Sequence, residues 1–493
     1  MNSLLVTNGC VYPADEEDRV IPNGAVLAVD GRITAIGTVE EVGRAVAGLN
    51  PGVREQLRTV DASGHMVLPG LVNGHWHEMF GMRMMMGGAT RPPSDREDVV
   101  DFMGGGGSMH RISRAFDSFD RLIDGMRPDE AEAIARYSMW TQLRSGVTTL
   151  GDVGSLNRPT SLVAAARSLG IRCVVGTWAC DAICAPGETG FRRTKDTDAV
   201  LAGVEALIRE CAGDDSGLIR CRPSVVYVTN MTDELGAGIA RLVDDHELPF
   251  ATHVGALRNE PELLRAYYGD TGVRRLADLG LVTERLTAVH TAFVDDEERS
   301  LLIEAGAHIS FSPAKYGMTG ETTITETRVV PELRRAGLGV SLSTDGMALA
   351  GPGMVEAMRA VWQSFNEMYG DQTEVLPSDA LAMATRIGAA GLGWEDIGSL
   401  APGKRADLVL VRTDDWRYLL NTRPLEAFLA LGCSSDVDTV VVGGQLLVEG
   451  GRGVRVDEAE LEKSYLEALS SFSTRCLRVP RSKVDRILTG VAR

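Results

Sequence analysis

No stretch of this 493-residue chain approaches the roughly 18 consecutive apolar residues that a membrane-spanning helix requires. The start, Met1-Asn2-Ser3-Leu4-Leu5-Val6, carries neither a basic cluster nor a long apolar run, so no export signal is expected and the chain reads as cytoplasmic. Positive charge is in deficit: 50 basic residues face 68 acidic ones, for a net charge of −18. Such a surface repels phosphate backbones and anionic lipid, which excludes nucleic acid and membranes as expected partners. Cysteine is sparse and scattered (Cys10, Cys173, Cys180, Cys184, Cys211, Cys221, Cys433, Cys476), and only Cys180 and Cys184 lie close together. That spacing suits reduced, mostly buried thiols.

The length exceeds what one core usually supports, so one domain of roughly 300 residues and a smaller one are expected. Residues 1–66 read as short strands with tight turns, among them Ala25–Val29, the Asp30-Gly31 hairpin signal and Arg32–Ile36. The same style returns in residues 403–455, at Ala406–Val411 and Asp438–Val442, which suggests one composite β-sandwich built from both ends. Between them, residues 67–402 alternate short apolar runs with amphipathic helical stretches such as Pro128–Ser145 and Asp295–Ala305. Core strands are expected at Val67–His77, Thr148–Val153, Arg172–Trp178, Ile219–Tyr227, Phe250–Val254, Leu286–Thr291, His308–Ser312 and Gly339–Asp345. The count suggests an α/β fold, a TIM-like (β/α)8 barrel, with an open doubly wound sheet as the alternative. Residues 456–493 read as a helical tail that packs on the barrel or on a second subunit.

Ligand-type residues cluster at the predicted strand ends, where barrels of this kind gather their chemistry. In Pro69-Gly70-Leu71-Val72-Asn73-Gly74-His75-Trp76-His77 the side-chain period of two puts both histidines on one face and Trp76 on the other. His253 ends the fifth run, His290 the sixth, and Asp345 the eighth. Imidazoles with one carboxylate and an open position suit Zn²⁺, with Fe²⁺ or Mn²⁺ as alternatives.

With these residues the chain resembles the amidohydrolase superfamily over nearly its whole length. Pro69–His77 is similar to the family's strand-one motif, Ser343-Thr344-Asp345-Gly346 to its strand-eight motif, and Gly403-Lys404-Arg405-Ala406-Asp407-Leu408-Val409 to its return into the terminal β-domain. The likeness is to the branch of cytosine, guanine and adenosylhomocysteine deaminases and triazine hydrolases. It implies His75, His77, His253 and Asp345 as metal ligands, with His290 hydrogen-bonding the attacking water or the substrate. Dinuclear members carry a bridging lysine at the end of strand four, and Ile219–Tyr227 contains none, so one metal is expected. Homodimers are common in the family.

One departure limits the carry-over. In the deaminase branch a glutamate three residues after the strand-five histidine shuttles protons, and that position is Ala256. Asp345 is the first candidate to take its place, through the carboxylate oxygen not bound to metal, and His290 the second. Glu78 should point away by alternation. The expected activity is hydrolysis of a non-peptide carbon–nitrogen bond at a ring or amide-like carbon of a nitrogen heterocycle. Hydrolytic dehalogenation, a Lewis-acid lyase or isomerase, and a non-catalytic ligand-binding relic are the alternatives.

Substrate contacts are expected in three places. Seven of the 18 methionines fall between residues 79 and 109, which suggests an apolar, aromatic ligand under a glycine-hinged lid, with Arg83 as polar anchor beside Met84 and Met86. Trp178 could stack on a ring. Phe311 replaces a polar element of relatives at strand seven, and Lys315 and Tyr316 follow as anion contacts, a solvated lysine being the plainer alternative.

Overall fold

The computed structural model describes residues 3–78, 108–123, 125–346, 353–420 and 422–489. Both ends of the chain contribute to one nine-stranded sheet. Its N-terminal strands include Leu4–Val11, Ile21–Val29, Arg32–Thr38 and His65–Pro69, and its C-terminal strands include Leu408–Arg412, Val437–Val442 and Gln445–Glu449. The halves meet where His65–Pro69 runs antiparallel to Leu408–Arg412, with Val67 opposite Leu410. Alternation divides the apolar residues between the two faces. Leu4, Val6, Val26, Ala28, Leu408 and Leu410 share one cluster, while Ala25 and Leu27 pack with Val42 of the helix Val39–Ala47. The ladders thus run as one continuous sheet with a helix on one face.

The sequence led us to expect a single strand from Val67 to His77. Instead Val67–Pro69 belongs to the terminal sheet and Leu71–Trp76 begins the parallel core, with Gly70 between them. A Cβ at Gly70 would lie 2.1 Å from Thr148 Oγ1, so only glycine lets the chain change sheets there. The switch from the terminal sheet to the parallel core therefore sits at Gly70.

The core consists of two parallel sheets. One joins Leu71–Trp76, Val147–Asp152, Arg172–Val175 and Ile219–Cys221, and the other joins Ser224–Tyr227, Phe250–Val254, Leu286–His290, His308–Phe311 and Val340–Leu342. Single bridges connect them, Trp76 to Asp345 and Ala179 to Val225. The fourth expected strand is broken at Arg222-Pro223, where proline lacks the N–H that a ladder needs. Arg222 is buried below the rim and donates to the Gly74 carbonyl at 3.2 Å.

Helices separate the strands. Asp296–Ala305 opens on a reciprocal cap between Asp295 and Glu298, each side chain accepting from the other's backbone N–H. The C-terminal helix Glu458–Arg475 lies on Pro128–Arg144, where the Tyr137 and Tyr465 rings stack at 4.3 Å and Ser471 donates to Glu130 at 2.7 Å. The tail is thereby docked on the same chain. Among the described residues no helix is long and apolar enough to cross a membrane.

Candidate metal centre

The first, fifth and eighth parallel strands each deliver ligand atoms to one buried point. His77 Nε2 lies 3.1 Å from His253 Nε2, which lies 3.2 Å from His75 Nε2. Asp345 Oδ1 stands 3.4 Å from His75 Nε2 and 3.9 Å from His77 Nε2. With the proton of each neutral ring on Nδ1, the three Nε2 lone pairs face one point, where a cation would draw all of them. Tetrahedral zinc with bonds of about 2.0–2.1 Å would set its nitrogens about 3.3 Å apart, close to what these rings present.

The local chemistry favours the ligand forms. His253 Nδ1–H donates to the Val226 carbonyl, which leaves the Nε2 lone pair for the centre. Burial lowers all three imidazoles, His253 to about 3 and His77 well below its ordinary value, so the rings are neutral at neutral pH. Burial raises the Asp345 carboxyl, but Lys315 and His75 beside it outweigh that and hold it well below the usual range. His75, His77, His253 and Asp345 thus form a donor set whose spacing and protonation fit one divalent ion.

His290 closes the sixth strand beside this set, with Nε2 3.6 Å from Asp345 Oδ2 and Nδ1 2.5 Å from the Tyr316 hydroxyl. Burial holds its imidazole well below its ordinary value, so it too is neutral. When the hydroxyl donates to Nδ1, the ring's one proton sits on Nε2 and points toward Asp345. His290 and Asp345 both have left-handed backbone, φ 77° and 58°, a conformation that costs energy in residues other than glycine and concentrates at functional sites.

The expected substrate contacts divide. Lys315 is not a solvated loop lysine: it is buried, and its Nζ lies 2.7 Å from both Asp345 Oδ2 and Glu321 Oε1. The anions it meets belong to the protein. Tyr316 addresses His290, as above. Trp178 stands edge-on to His77 at 5.6 Å, and its indole N–H donates to the Phe116 carbonyl at 3.0 Å, so it braces the centre from the side. Phe311 is fully buried against Tyr316 and Phe365 and packs behind the site. Arg83, Met84, Met86 and the glycine-hinged lid lie outside the described residues. Glu78 is buried, with its N–H donating to Ser155 Oγ.

Two carboxylates escaped the sequence reading. Glu260 is buried and accepts from the backbone N–H groups of Gly255 and Ala256 at 2.7 and 2.9 Å, fixing the turn after His253. Burial pushes its carboxyl up to about 7. Glu321 is buried beside Asp345 and His290, the three offering ligand atoms within 4.8 Å of one another. No spacing marks it, because it reaches the site from a loop.

Residues 66–447 match the model of the amidohydrolase family. The chain is 27% identical over 458 residues to a 5-methylthioadenosine/S-adenosylhomocysteine deaminase of Nitratidesulfovibrio vulgaris, covering 92% of this chain and 94% of that protein. In fold it is similar to a zinc-bound adenosine deaminase from Xanthomonas campestris, with TM-score 0.79, 23% identity and coverage of 96% and 98% of the two chains. It is likewise similar to the zinc-complexed atrazine chlorohydrolase of Arthrobacter aurescens TC1, with TM-score 0.76, 23% identity and coverage of 94% and 100%.

Proposed function

The chain belongs to the amidohydrolase family, and from that membership we propose a hydrolase that uses one metal ion, Zn²⁺ first, to break a non-peptide carbon–nitrogen bond of a nitrogen heterocycle. The observation that carries this reading is the convergence of His75, His77, His253 and Asp345 on one buried point at three strand ends. Their placement supports closure of the two parallel sheets into a (β/α)8 barrel, since the Trp76–Asp345 bridge joins the first strand to the end of the eighth. The nine-stranded sheet would then be the small terminal domain, curled as a sandwich.

The ion would lower the pKa of a water molecule toward about 7 and polarise the carbon it attacks. The protein's residues do the rest. Asp345 and His290 face each other across the space beside the ligands, Asp345 as acceptor and His290 Nε2–H as donor. They hold the water, and proton handling falls to them and to what they touch. Trp178 and Phe116 pack edge to face at 5.2 Å beside His77 and limit access from that side.

One metal is also what the second group of candidate ligands supports. Among His290, Glu321 and Asp345, the Lys315 ammonium already sits between the two carboxylates, so a second cation would meet a fixed positive charge.

We place the substrate among small heterocycles with an apolar or aromatic body, consistent with the deaminase relatives. Metal analysis of purified protein and a heterocycle panel assayed for ammonia or amine release test the reading. A chain without stoichiometric divalent metal, or a loaded one inert across the panel, overturns it. Ala256 favours hydrolytic dehalogenation as the second reading, because halide leaves without a proton. Chloride release without ammonia release would select it.

A further inference from the structure

The family resemblance leaves a gap at Ala256, and the structure places a carboxylate beside it from another part of the chain. Glu321 lies between the helices Pro313–Thr319 and Ile324–Thr327, in the loop after the seventh parallel strand. Its neighbour Thr322 has left-handed backbone, φ 48°, and donates through Oγ1 to the carbonyl of Ala256 at 3.1 Å. The loop is therefore pinned to Ala256, the position where the resemblance implies a glutamate. The Glu321 side chain is fully buried, and Lys315 Nζ holds its Oε1 at 2.7 Å. Its carboxylate shares the 4.8 Å neighbourhood of the Asp345 and His290 ligand atoms.

The other two candidates are constrained. Lys315 engages one oxygen of each carboxylate at 2.7 Å, Asp345 Oδ2 and Glu321 Oε1, but the other Asp345 oxygen, Oδ1, faces the histidines of the metal centre. His290 engages Tyr316 through Nδ1, and where the hydroxyl donates there the ring's one proton lies on Nε2. We propose that Glu321 is the proton-transfer residue of this enzyme, replacing the missing strand-five glutamate from the strand-seven loop, with Lys315 as its positioning residue. This inference rests on the hydrolase reading above.

The step balances without another reactant. As the water oxygen bonds to the ring carbon, one water proton passes to Glu321, and the carbon–nitrogen π pair moves onto the ring nitrogen. Glu321 delivers its proton to that nitrogen. The bond to the exocyclic nitrogen then breaks; that nitrogen takes the remaining hydroxyl proton and leaves as neutral amine, while the carbon keeps its oxygen as carbonyl.

The test compares Glu321→Gln, Ala256→Glu and the double variant with wild type, all loaded with Zn²⁺ and assayed on the panel heterocycle that wild type turns over fastest. Glu321→Gln is expected to keep one metal per chain, to lose about 10²- to 10⁴-fold in kcat with little change in KM, and to lose the limb of the pH profile that belongs to the carboxylate. The double variant should regain at least about tenfold over Glu321→Gln, because the carboxylate returns from position 256. Ala256→Glu alone should gain nothing, since the role is already filled. A readout that needs no substrate is the visible spectrum of Co²⁺-loaded protein against pH, whose midpoint should move by about one unit or more in Glu321→Gln. Metal-loaded Glu321→Gln within about threefold of wild type overturns the inference, as does a tenfold gain in Ala256→Glu, which can be read even if Glu321→Gln fails to fold. Absence of metal or of any wild-type turnover would instead sink the hydrolase reading itself.

Discussion

The loops after the fifth and seventh parallel strands contribute to the same site in opposite ways. After the fifth, His253-Val254-Gly255-Ala256 delivers a ligand and then an apolar residue, while the nearby carboxylate of Glu260 is spent on backbone N–H groups. After the seventh there is no metal ligand, yet Lys315, Tyr316 and Glu321 all turn inward to Asp345, to His290 or to each other. On the reading proposed above, metal binding and proton handling fall to different segments. A metal ligand must be fixed to a few tenths of an ångström, which a strand end provides. A proton carrier needs only to reach, and a loop can supply it.

The sharpest way to break this division is at the residue both segments share. Asp345→Asn should abolish turnover, by about 10⁴-fold or more, with weakened metal binding seen in metal titration; full activity with metal bound would remove Asp345 from the mechanism. Next, Lys315→Met leaves Asp345 and Glu321 buried together without their cation. A loss of about 3–5 kcal/mol in the stability of the metal-free protein is expected by urea denaturation, because removing one member of a buried ion pair strands its partners. Unchanged stability would mean that the seventh-strand loop is not held by charge.

The fifth-strand side has its own signature in pH. His253 is lowered from 6.5 to about 3 when folded, so between those values the unfolded chain binds a proton that the folded chain refuses. Stability of the metal-free protein should therefore fall as pH drops from about 6.5 toward 3, measured as the urea midpoint. A flat profile through that window would show that the ring is not buried in its neutral form. The smallest effect belongs to Tyr316→Phe, expected to lower kcat about tenfold or less while leaving metal affinity unchanged, since it only frees the tautomer of His290.

The same contrast explains what could be read from the sequence. His75, His77, His253, His290 and Asp345 were legible because strands alternate and their ends can be found from apolar runs. The terminal sheet was legible in its strands but not in its junction, since the switch at Gly70 depends on Thr148, far along the chain. Lys315 looked like a loop lysine because nothing local reveals that a carboxylate from the eighth strand and one from position 321 will bury it. Phe311 and Trp178 were recognisable as large and central, but which side of a strand end faces ligand and which faces core is decided by neighbours such as Phe365 and Phe116.

The pairing of Val67 with Leu410 also bears on how the molecule is made. The strand before the one that carries His75 finds its antiparallel neighbour only after more than three hundred intervening residues have left the ribosome, and contacts of such long range are slow to close. Synthesis alone cannot complete the first histidine pair's foundation until the last strands arrive. Metal acquisition should accordingly be a late event in the life of the nascent chain, and truncation in the C-terminal strands should damage a site that lies far from the cut.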